Sequence, residues 1–352
     1  MKINKEIFGR QDDKTAWLFT LSNGNGMSVS ITNFGANIVN IMVPDQNGNL
    51  IDVALGYDNL DGYRVNHPML GATCGRNVNR ISNAEFMIDG SVYHLVKNRG
   101  QHNIHSDKDH GFHKVFYDYH LINDRLTMSY HSPDFETGFP GALDLTITYS
   151  LSEKNDLIVS YYATCTKKTL INITNHSYFN LNGHDNGDIL DHEVFINASR
   201  FTPVDQDLIP TGQIEQVQFT PMDFTQPRKI RDVIDTDFTQ LHLAGGFDHN
   251  FAINKPDCGI KLVASVFSPV SGLKMSIYSD LEGLQFYTGN TLNEPFGKGN
   301  TFYKKYGGLC LEPQYFPNAI NTPSFRSPVF EKGQPFKTTT IYNFSNVKSK
   351  KI

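Results

Sequence analysis

The sequence predicts an all-β protein, built as a large antiparallel β-sandwich with very few short helices. The chain of 352 residues contains 25 Phe and 16 Tyr but one Trp, and aromatic and β-branched side chains favour pleated, half-buried surfaces over long helices. Segments that alternate between apolar and polar residues recur along the chain, as strands with one buried face do. Turn signals that contain glycine separate these segments.

Strands are predicted where this alternation is clearest. The segments are MSVSITNF, NIVNIMV, LDLTITYSL (143–151), DLIVSYYATC (156–165) and LKMSIYS (273–279). Hairpin turns are predicted at four sites whose residues tolerate left-handed backbone: Asn23–Gly26, Asn47-Gly48, Asp89-Gly90 and Ser271-Gly272. Strands and short turns in this arrangement favour antiparallel pairing.

Helical spacing is limited to two windows. Pro227–Leu243 fits one or two short turns, and Asp58–Val65 fits one more. No change of composition, Ser/Gly-rich linker or fixed-period repeat divides the chain. We therefore expect one domain over residues 1–352, whose basic end VKSKKI, 347–352, is a frayed tail.

The charge balance excludes two classes of partner. The net charge is -5 and charges of both signs are scattered along the sequence, so there is no basic face for nucleic acid and no polybasic membrane patch. The segment MKINKEIFG lacks the apolar region of a secretory signal, and no stretch approaches about 18 apolar residues. We expect a soluble, cytoplasmic protein that binds a small neutral molecule, and no oligomeric state is indicated.

No metal site is predicted. The segment HNIHSDKDHGFH carries four histidines within twelve residues, which invites a metal interpretation, but it lacks the HExxH pattern and is typical of an irregular loop that places one histidine in a cleft. A histidine-loop metalloprotein stays the alternative. The cysteines lack CxxC or zinc-ligand spacing and are interpreted as reduced, partly buried thiols. They are Cys74, Cys165, Cys258 and Cys310.

The segment NITNHSYFNL, residues 172–181, breaks the strand pattern. It starts as an alternating strand, but polar residues follow one another at Asn175, His176 and Ser177. In a core, each of them would carry the free-energy cost of desolvation unless it found a partner. The run therefore indicates a buried polar network or a wet cleft, and we expect His176 to face a cleft.

Other polar residues have unusual neighbours in the sequence. Glu312 lies in an otherwise apolar segment, LCLEPQYFPNA, where burial or hydrogen-bond donors would shift its pKa, as is common in active sites. Arg76 and Arg80 share one face of a strand in GRNVNRI, an arrangement that is more often structural. Asp248 in FDHNF and Gln285 in GLQFYTGN complete the candidates.

Taken together, these segments resemble the aldose 1-epimerase family, the galactose mutarotases. NITNHSYFNL matches the family signature Asn-x-Thr-Asn-His-x-Tyr-Phe-Asn-Leu at each defined position. Further family segments follow in order along nearly the whole chain: ITNFGANI, GRNVNRI, NIH, GGFDHNF, GLQFYTGN and LEPQYFPNAIN. The resemblance implies a galactose mutarotase-like β-sandwich whose site lies in a cleft along one face, with no cofactor.

The resemblance also implies a role for each matching residue. His176 would be the general acid and Glu312 the general base. The residues that would bind sugar hydroxyls are Asn79, Arg80, His105, Asp248 and Gln285. The sequence departs from the family where Ser106 and Asp107 follow His105, since the family usually has two glycines there. This departure bears on the loop conformation and the hydroxyl preference more than on the chemistry.

These residue types suit the interconversion of the α and β anomers of free aldohexoses such as galactose and glucose. Ring opening takes a proton from the anomeric hydroxyl and gives one to the ring oxygen; rotation about the C1–C2 bond and reclosure then give the other anomer. Near neutral pH an imidazole can donate and a carboxylate can accept. An aromatic wall such as Tyr178, Phe179 or Phe286 would cover the apolar face of the sugar.

Two further alternatives stay open beside the metalloprotein. An enzyme of the same fold that acts on a phosphorylated sugar would need extra cations at the mouth of the cleft, where the motifs show only Arg76, Arg80 and Arg99. A carbohydrate-binding sandwich without activity would have no use for a complete acid and base pair. A free aldose is therefore the favoured substrate.

Overall fold

The computed structural model describes residues 2–254 and 259–347. Within these residues, 27 strands, three short α-helices and five 3₁₀ turns alternate with loops. Each pairing between two of these strands is antiparallel. The predicted all-β fold with few short helices is confirmed.

The strands are short on average and follow one another closely along the chain. Those up to residue 165 are β1 Lys2–Gln11, β2 Lys14–Ser22, β3 Ser28–Thr32, β4 Ile38–Pro44, β5 Leu50–Asp52, β6 Ala72–Cys74, β7 Arg80–Ile81, β8 Glu85–Ile88, β9 Ser91–His94, β10 Asn103–Ile104, β11 Asp118–Ile122, β12 Arg125–Ser132, β13 Leu143–Leu151 and β14 Asp156–Cys165. Those that follow are β15 Thr169–Leu170, β16 Thr174–His176, β17 Glu193–Ile196, β18 Arg200–Thr202, β19 Glu215–Gln216, β20 Arg228–Lys229, β21 Asp248–Ala252, β22 Lys261–Phe267, β23 Leu273–Ser279, β24 Gly283–Tyr287, β25 Cys310–Gln314, β26 Val329–Phe330 and β27 Phe336–Asn346.

Three sheets contain most of these strands. The largest has nine strands in the order β11-β12-β13-β14-β27-β23-β22-β17-β20, and two have five strands each, in the orders β1-β2-β3-β4-β5 and β19-β18-β21-β24-β25. The remaining strands form two-stranded pairs: β6 with β16, β7 with β10, β8 with β9 and β15 with β26. The last strand, β27, lies inside the nine-stranded sheet, between β14 and β23.

The four predicted turns lie between paired strands. Asn23–Gly26 lies between β2 and β3, Asn47-Gly48 between β4 and β5, and Ser271-Gly272 between β22 and β23. Asp89-Gly90 joins β8 to β9, and both residues have left-handed backbone, with φ of 49° and 79°. Two residues with positive φ match the twist of the flanking strands, so the turn predictions are confirmed.

The core forms where alternating strands turn their apolar faces toward one another. Along β13 the apolar residues from Leu143 to Leu151 are buried at every second position, and the residues between them are more exposed. The buried apolar residues of β3, β13, β14 and β24 belong to one continuous apolar cluster. Burying each Leu, Ile or Val side chain is worth about 1.5–3 kcal/mol, so this cluster fixes the sheets against one another.

The helices lie within or beside the two predicted windows. They are α1 Leu60–Val65, α2 Arg231–Ile234 and α3 Thr239–Ala244, and the 3₁₀ turns are Ser82–Ala84, Phe112–Lys114, Glu136–Gly138, Lys298–Asn300 and Ala319–Asn321. α1 begins where the Asn59 side chain accepts hydrogen bonds from the backbone N–H groups of Asp61 and Gly62. None of the helices in residues 2–254 and 259–347 is long and apolar enough to cross a membrane.

Two predictions fall partly outside the described residues. Of the tail 347–352, residues 348–352 are not among the described residues, and Cys258 is not among them either. The other cysteines, Cys74, Cys165 and Cys310, are free and buried. One domain over residues 1–352 stays a prediction.

Candidate active site

Polar side chains gather on one face of the sheet that contains β21, β24 and β25. In this sheet Asp248 lies opposite Tyr287, and Gln285 lies opposite Glu312. Residues opposite one another, and residues two apart on one strand, point to the same face of a sheet. The register therefore brings Asp248, Gln285 and Glu312 together although they are far apart in the chain.

His176 reaches the same place from the end of β16. This strand pairs with β6, and the Thr174 hydroxyl donates a hydrogen bond to the carbonyl of Pro313 at 2.8 Å, which ties β16 to β25. Nε2 of His176 lies 3.7 Å from Oε1 of Glu312, and the two side chains are only 8% and 3% exposed. The histidine of NITNHSYFNL thus lies next to the carboxylate of LCLEPQYFPNA.

A hydrogen-bonded network holds the neighbouring polar groups. Nη2 of Arg80 donates to Oδ2 of Asp248 at 2.8 Å, and Nε2 of Gln285 donates to Oδ1 of the same carboxylate at 2.6 Å. Nη1 of Arg80 donates to Oδ1 of Asn79 at 3.3 Å. Charge-assisted bonds of this kind are stronger than neutral ones, so the network fixes these groups before any ligand binds.

His105 lies beside this network as a neutral ring. Its Nδ1 accepts a hydrogen bond from the backbone N–H of Asn79 at 3.3 Å, and its ring centre is 5.2 Å from that of His176. Burial, helped by the nearby His176 and Arg80, lowers the pKa of His105 well below its usual value. Because Nδ1 accepts, the single ring proton lies on Nε2, which is therefore a donor.

The loop after His105 adopts backbone that glycine would favour. His105 and Ser106 have φ of 52° and 65°, in the left-handed region where a side chain is strained. Ser106 is buried, and its hydroxyl accepts a hydrogen bond from the N–H of Asn77 at 2.8 Å and donates one to the carbonyl of Asn77 at 3.0 Å. The serine thus takes the family's glycine position with its hydroxyl bound to a fixed backbone segment.

A pocket of about 350 Å³ opens on these residues. All the residues that the sequence predicts for the site line it: Asn79, Arg80, His105, His176, Asp248, Gln285 and Glu312. Small-molecule pockets have volumes of about 300–1,000 Å³, so the pocket has the size for a small ligand. The structure brings the predicted residues together, and their roles stay predictions.

The predicted aromatic wall is partly wrong. Tyr178 lines the pocket, but Phe179 and Phe286 belong to the apolar core. For Phe286 strand alternation is the reason, because Gln285 points to the pocket and the next residue must point to the opposite face. Tyr287 returns to the pocket, and its ring centre lies 5.9 Å from that of Tyr178.

Other polar candidates lie away from the pocket. Of the four histidines in HNIHSDKDHGFH, His105 lines the pocket, whereas His102, His110 and His113 do not. These four do not come close enough to share a metal ion in the described part of the chain. Arg76 is buried and donates to the backbone carbonyls of residues 140 and 141, which is the structural role that the sequence favours for it.

Burial sets the ionisation of the pocket residues. It raises the pKa of Glu312 well above its ordinary value, an effect that the charge of Asp248 reinforces and that of Arg80 opposes. It lowers the pKa of His176 to about 4. Burial would also raise the pKa of Asp248, but the charge of Arg80 and hydrogen bonds from Arg80 and Gln285 outweigh it and leave that pKa below its usual value. Near neutral pH Asp248 is ionised, whereas burial favours the neutral forms of both His176 and Glu312.

Sequence patterns do not single out three further residues at the site. Sγ of Cys310 lies 3.6 Å from Nδ1 of His176, and Tyr287 and Lys108 line the pocket. Cys310 and Tyr287 lie two residues from Glu312 and Gln285 on the same strands, so strand alternation could have found them. Lys108 lies in an irregular loop, and no periodic pattern predicts where it points.

The chain is similar to known proteins of one family in both sequence and fold. The family model described as aldose 1-epimerase matches residues 18–343. The chain is 39% identical to the galactose mutarotase of Rattus norvegicus over 320 residues, 91% of each chain, and 32% identical to the aldose 1-epimerase of Escherichia coli strain K12 over 330 residues, 93% of this chain and 94% of the other. A crystal structure of an aldose epimerase homologue from C. elegans is similar with a TM-score of 0.88 and 27% identity, covering 95% of this chain and 100% of the other. The crystal structure of galactose 1-epimerase from Lactobacillus acidophilus is similar with a TM-score of 0.85 and 25% identity, covering 98% of this chain and 99% of the other.

Proposed function

The chain belongs to the aldose 1-epimerase family, and from this premise we propose that it is an isomerase that interconverts the α and β anomers of free aldohexoses such as galactose and glucose. In this proposal His176 is the general acid and Glu312 the general base. One observation supports these roles most directly: Nε2 of His176 and Oε1 of Glu312 lie 3.7 Å apart in one pocket, and Oε2 of Glu312 is buried without a hydrogen-bond partner in the described chain. That oxygen is an acceptor that a sugar hydroxyl can use.

The proposed reaction needs two opposed proton transfers. Glu312 accepts the proton of the anomeric hydroxyl while His176 donates one to the ring oxygen, which opens the hemiacetal to the aldehyde. Rotation about the C1–C2 bond presents the other face of the aldehyde, and the reverse transfers close the ring. The pair holds one proton before and after each passage, so the cycle balances within these two side chains.

Sugar binding would move that proton to the side from which the reaction starts. Without sugar, burial favours the neutral forms of both Glu312 and His176. A hydroxyl that donates to the unpartnered Oε2 stabilises the carboxylate, and the carboxylate in turn stabilises an imidazolium 3.7 Å away. The proton then lies on His176, ready for the ring oxygen.

Substrate binding would depend on the fixed polar network. The residues proposed to bind hydroxyls are Asn79, Arg80, His105, Asp248 and Gln285. Nε2 of His105 is a donor and the Asp248 carboxylate is an acceptor, so together they can engage hydroxyls in both senses. Tyr178 and Tyr287 would cover the apolar face of the ring.

Polarimetry on freshly dissolved α-glucose and α-galactose tests the proposal and compares the two sugars. The optical rotation should reach equilibrium faster with the protein than without it. The variants His176→Asn and Glu312→Gln should fold and lose about 10²–10⁴-fold in kcat, whereas the exposed controls His110→Asn and Glu331→Gln should keep full activity. Sugar binding without any acceleration would indicate a carbohydrate-binding protein instead. Full activity in a site variant would remove that residue from the mechanism.

A second candidate substrate is an aldose that carries a phosphate or carboxylate group. Arg99 and Lys108 line the pocket and are exposed, and neither forms an ion pair within residues 2–254 and 259–347. Arginine and lysine are the usual partners of phosphate in proteins. These two cations meet the requirement for a phosphorylated sugar better than the sequence motifs alone do.

The ratio of kcat/KM for glucose 6-phosphate to that for glucose distinguishes the two substrate classes. If the anion binds at the mouth of the pocket, Lys108→Met and Arg99→Met should each lower this ratio about 2–5-fold, as exposed ion pairs do, and salt should reduce the difference. Lys332→Met, at an exposed lysine outside the pocket, is the control. An unchanged ratio in both pocket variants would leave the free aldose as the sole candidate.

A further inference from the structure

Three side chains of different chemistry meet beside the pocket, and two of them, His176 and Glu312, line it. One nitrogen of His176, Sγ of Cys310 and one carboxylate oxygen of Glu312 all lie within 4.8 Å of one another. Imidazole, thiolate and carboxylate are the ligands that zinc takes from proteins. We propose that these three residues form a binding site for Zn²⁺ or a similar thiophilic divalent ion, and that the bound ion blocks the pocket.

The fold presents the three residues to a single point. Cys310 and Glu312 lie two apart on β25, so their side chains share one face. His176 approaches that face from β16 and lies between them, with Nδ1 3.6 Å from Sγ and Nε2 3.7 Å from Oε1. All three residues are buried, and sites carried on strands are held more rigidly than sites on loops.

The distances fit a tetrahedral zinc ion after a small contraction. Bonds of about 2.0–2.3 Å from zinc to nitrogen, oxygen and sulfur place neighbouring ligand atoms about 3.3–3.8 Å apart. The separation of 3.6 Å between His176 Nδ1 and Cys310 Sγ already lies in this range. The longest separation in the group needs to shorten by about 1 Å, and rotation of the imidazole ring can present one nitrogen to both of its neighbours.

Two further observations support a cation site, and the second of them favours a soft cation. Oε2 of Glu312 is a buried acceptor without a partner among the described residues, so the carboxylate has coordinating capacity left. Next to the site, Sδ of Met69, which lines the pocket, lies 3.8 Å from Sγ of Cys74. Thiol and thioether sulfur favour zinc, cadmium and copper(I) over magnesium and calcium.

Metal binding at this site exchanges two protons for the ion. The Cys310 thiol and the Glu312 carboxyl group each release a proton to solvent as their bonds to the metal form, and a fourth coordination position stays open. The ion occupies the His176 nitrogen and the Glu312 oxygen that would otherwise transfer protons. Inhibition therefore rests on the proposed function, whereas metal binding does not, and the ion should compete with the aldose.

Titration with Cd²⁺ tests the site without any turnover. Cadmium bound to a thiolate absorbs in the ultraviolet, so the wild-type protein should develop this band at one equivalent of metal. The band should be lost in Cys310→Ala and in Cys310→Ser. Two variants are used so that the test still holds if one of them does not fold. It should persist in Cys165→Ala, which removes a buried thiol outside the pocket. A band that is absent in the wild type, or equal in the Cys310 variants, would overturn the proposal.

Polarimetry with added Zn²⁺ tests the blockage. Zn²⁺ should inhibit competitively with the aldose, chelator should restore the rate, and Mg²⁺ at the same concentration should have no effect. Each variant is compared with its own metal-free rate, and the apparent inhibition constant should rise at least about tenfold in the Cys310 variants. Binding without inhibition would refute the blockage. If the wild type has no mutarotase activity at all, the proposed function fails, and displacement of cadmium by aldose then decides whether the ion shares the pocket.

Discussion

Two clusters of buried charge in this protein differ in how completely their polar atoms are paired. In the first, Lys298 is buried and donates to the carboxylate of Asp52 and to the carbonyls of Val39 and Ala54. Asp52 in turn accepts hydrogen bonds from the backbone N–H groups of Ile41 and Ala54. This cluster joins distant segments of the chain and has little hydrogen-bonding capacity left for a ligand.

The pocket is the second cluster, and it keeps unpaired atoms. Oε2 of Glu312 and Nε of Arg80 are buried there without a hydrogen-bond partner from residues 2–254 and 259–347. An unpaired buried polar group costs about 1–3 kcal/mol, a cost that a ligand can offset by supplying the partner. Burial and charge alone therefore do not distinguish a site from a structural ion pair, whereas unpaired atoms that face a pocket do.

The largest effect is expected in the pocket, where one substitution should lower the activity and raise the stability. Glu312→Gln should lower kcat by about 10²–10⁴-fold and should raise the free energy of unfolding near neutral pH. Burial raises the pKa of Glu312 in the folded protein, so the folded state is penalised as the pH rises above the carboxyl's ordinary pKa, and glutamine removes that penalty. Polarimetry and urea denaturation measure the two quantities. A less stable Glu312→Gln variant would contradict the comparison.

The next largest effect is expected in the cluster of Lys298 and Asp52, where a substitution should lower stability and leave kcat unchanged. Lys298→Met leaves the half-buried Asp52 carboxylate without its cation and should lower the free energy of unfolding by about 3–5 kcal/mol. Because Lys298 does not line the pocket, kcat per folded molecule should be unchanged. Lys332→Met is the exposed control, and adding Asp52→Asn should recover part of the loss. A fall in kcat of the folded variant would show that the two clusters are coupled.

A smaller effect is expected where the pocket is itself well paired. Asp248→Asn removes an ionised acceptor that Arg80 and Gln285 hold in place. Charged hydrogen bonds contribute about 1.5–3 kcal/mol, so KM should rise about 10–100-fold, with a smaller change in kcat. Initial rates over a range of aldose concentrations measure both constants. An unchanged KM would exclude Asp248 from substrate binding.

The smallest expected effect is that of pH on kcat/KM, which should change by at most about tenfold per pH unit. Below the pKa of His176, about 4, the pair of His176 and Glu312 gains a second proton and the base is lost. Above the raised pKa of Glu312, the pair loses its only proton and the acid is lost. The value of kcat/KM should therefore fall on both sides, with apparent pKa values that belong to the pair. A value of kcat/KM that does not fall below about pH 4, or that does not fall at alkaline pH, would contradict paired acid and base catalysis.

Local patterns predict the strands of this protein with good accuracy because alternation encodes which face is buried. LDLTITYSL, DLIVSYYATC and LKMSIYS coincide with β13, β14 and β23 at both ends. The same alternation places Phe286 in the core, since its neighbour Gln285 faces the pocket. An aromatic residue next to a pocket residue on a strand therefore points away from the site.

Other features depend on contacts that no local pattern contains. Lys298 and Asp52 are 246 residues apart, and nothing near either residue in the sequence predicts their pairing. The family motifs predict the residues that line the pocket, but not Lys108, because its position follows from the conformation of one loop. Strand alternation places Cys310 on the same face as Glu312, but its proximity to His176 depends on how β16 packs beside β25. Such positions become visible only once the sheets are assembled.

The position of β27 has a consequence for synthesis of the protein. This strand pairs with β14 on one side and β23 on the other, yet it is made last among the described strands. The ribosome translates the chain at about 5–20 residues per second. Until β27 is made, β14 and β23 are unpaired edge strands, and strands of other chains can pair with them. The nascent polypeptide should therefore be a client of chaperones that shield such edges until its closing segment emerges.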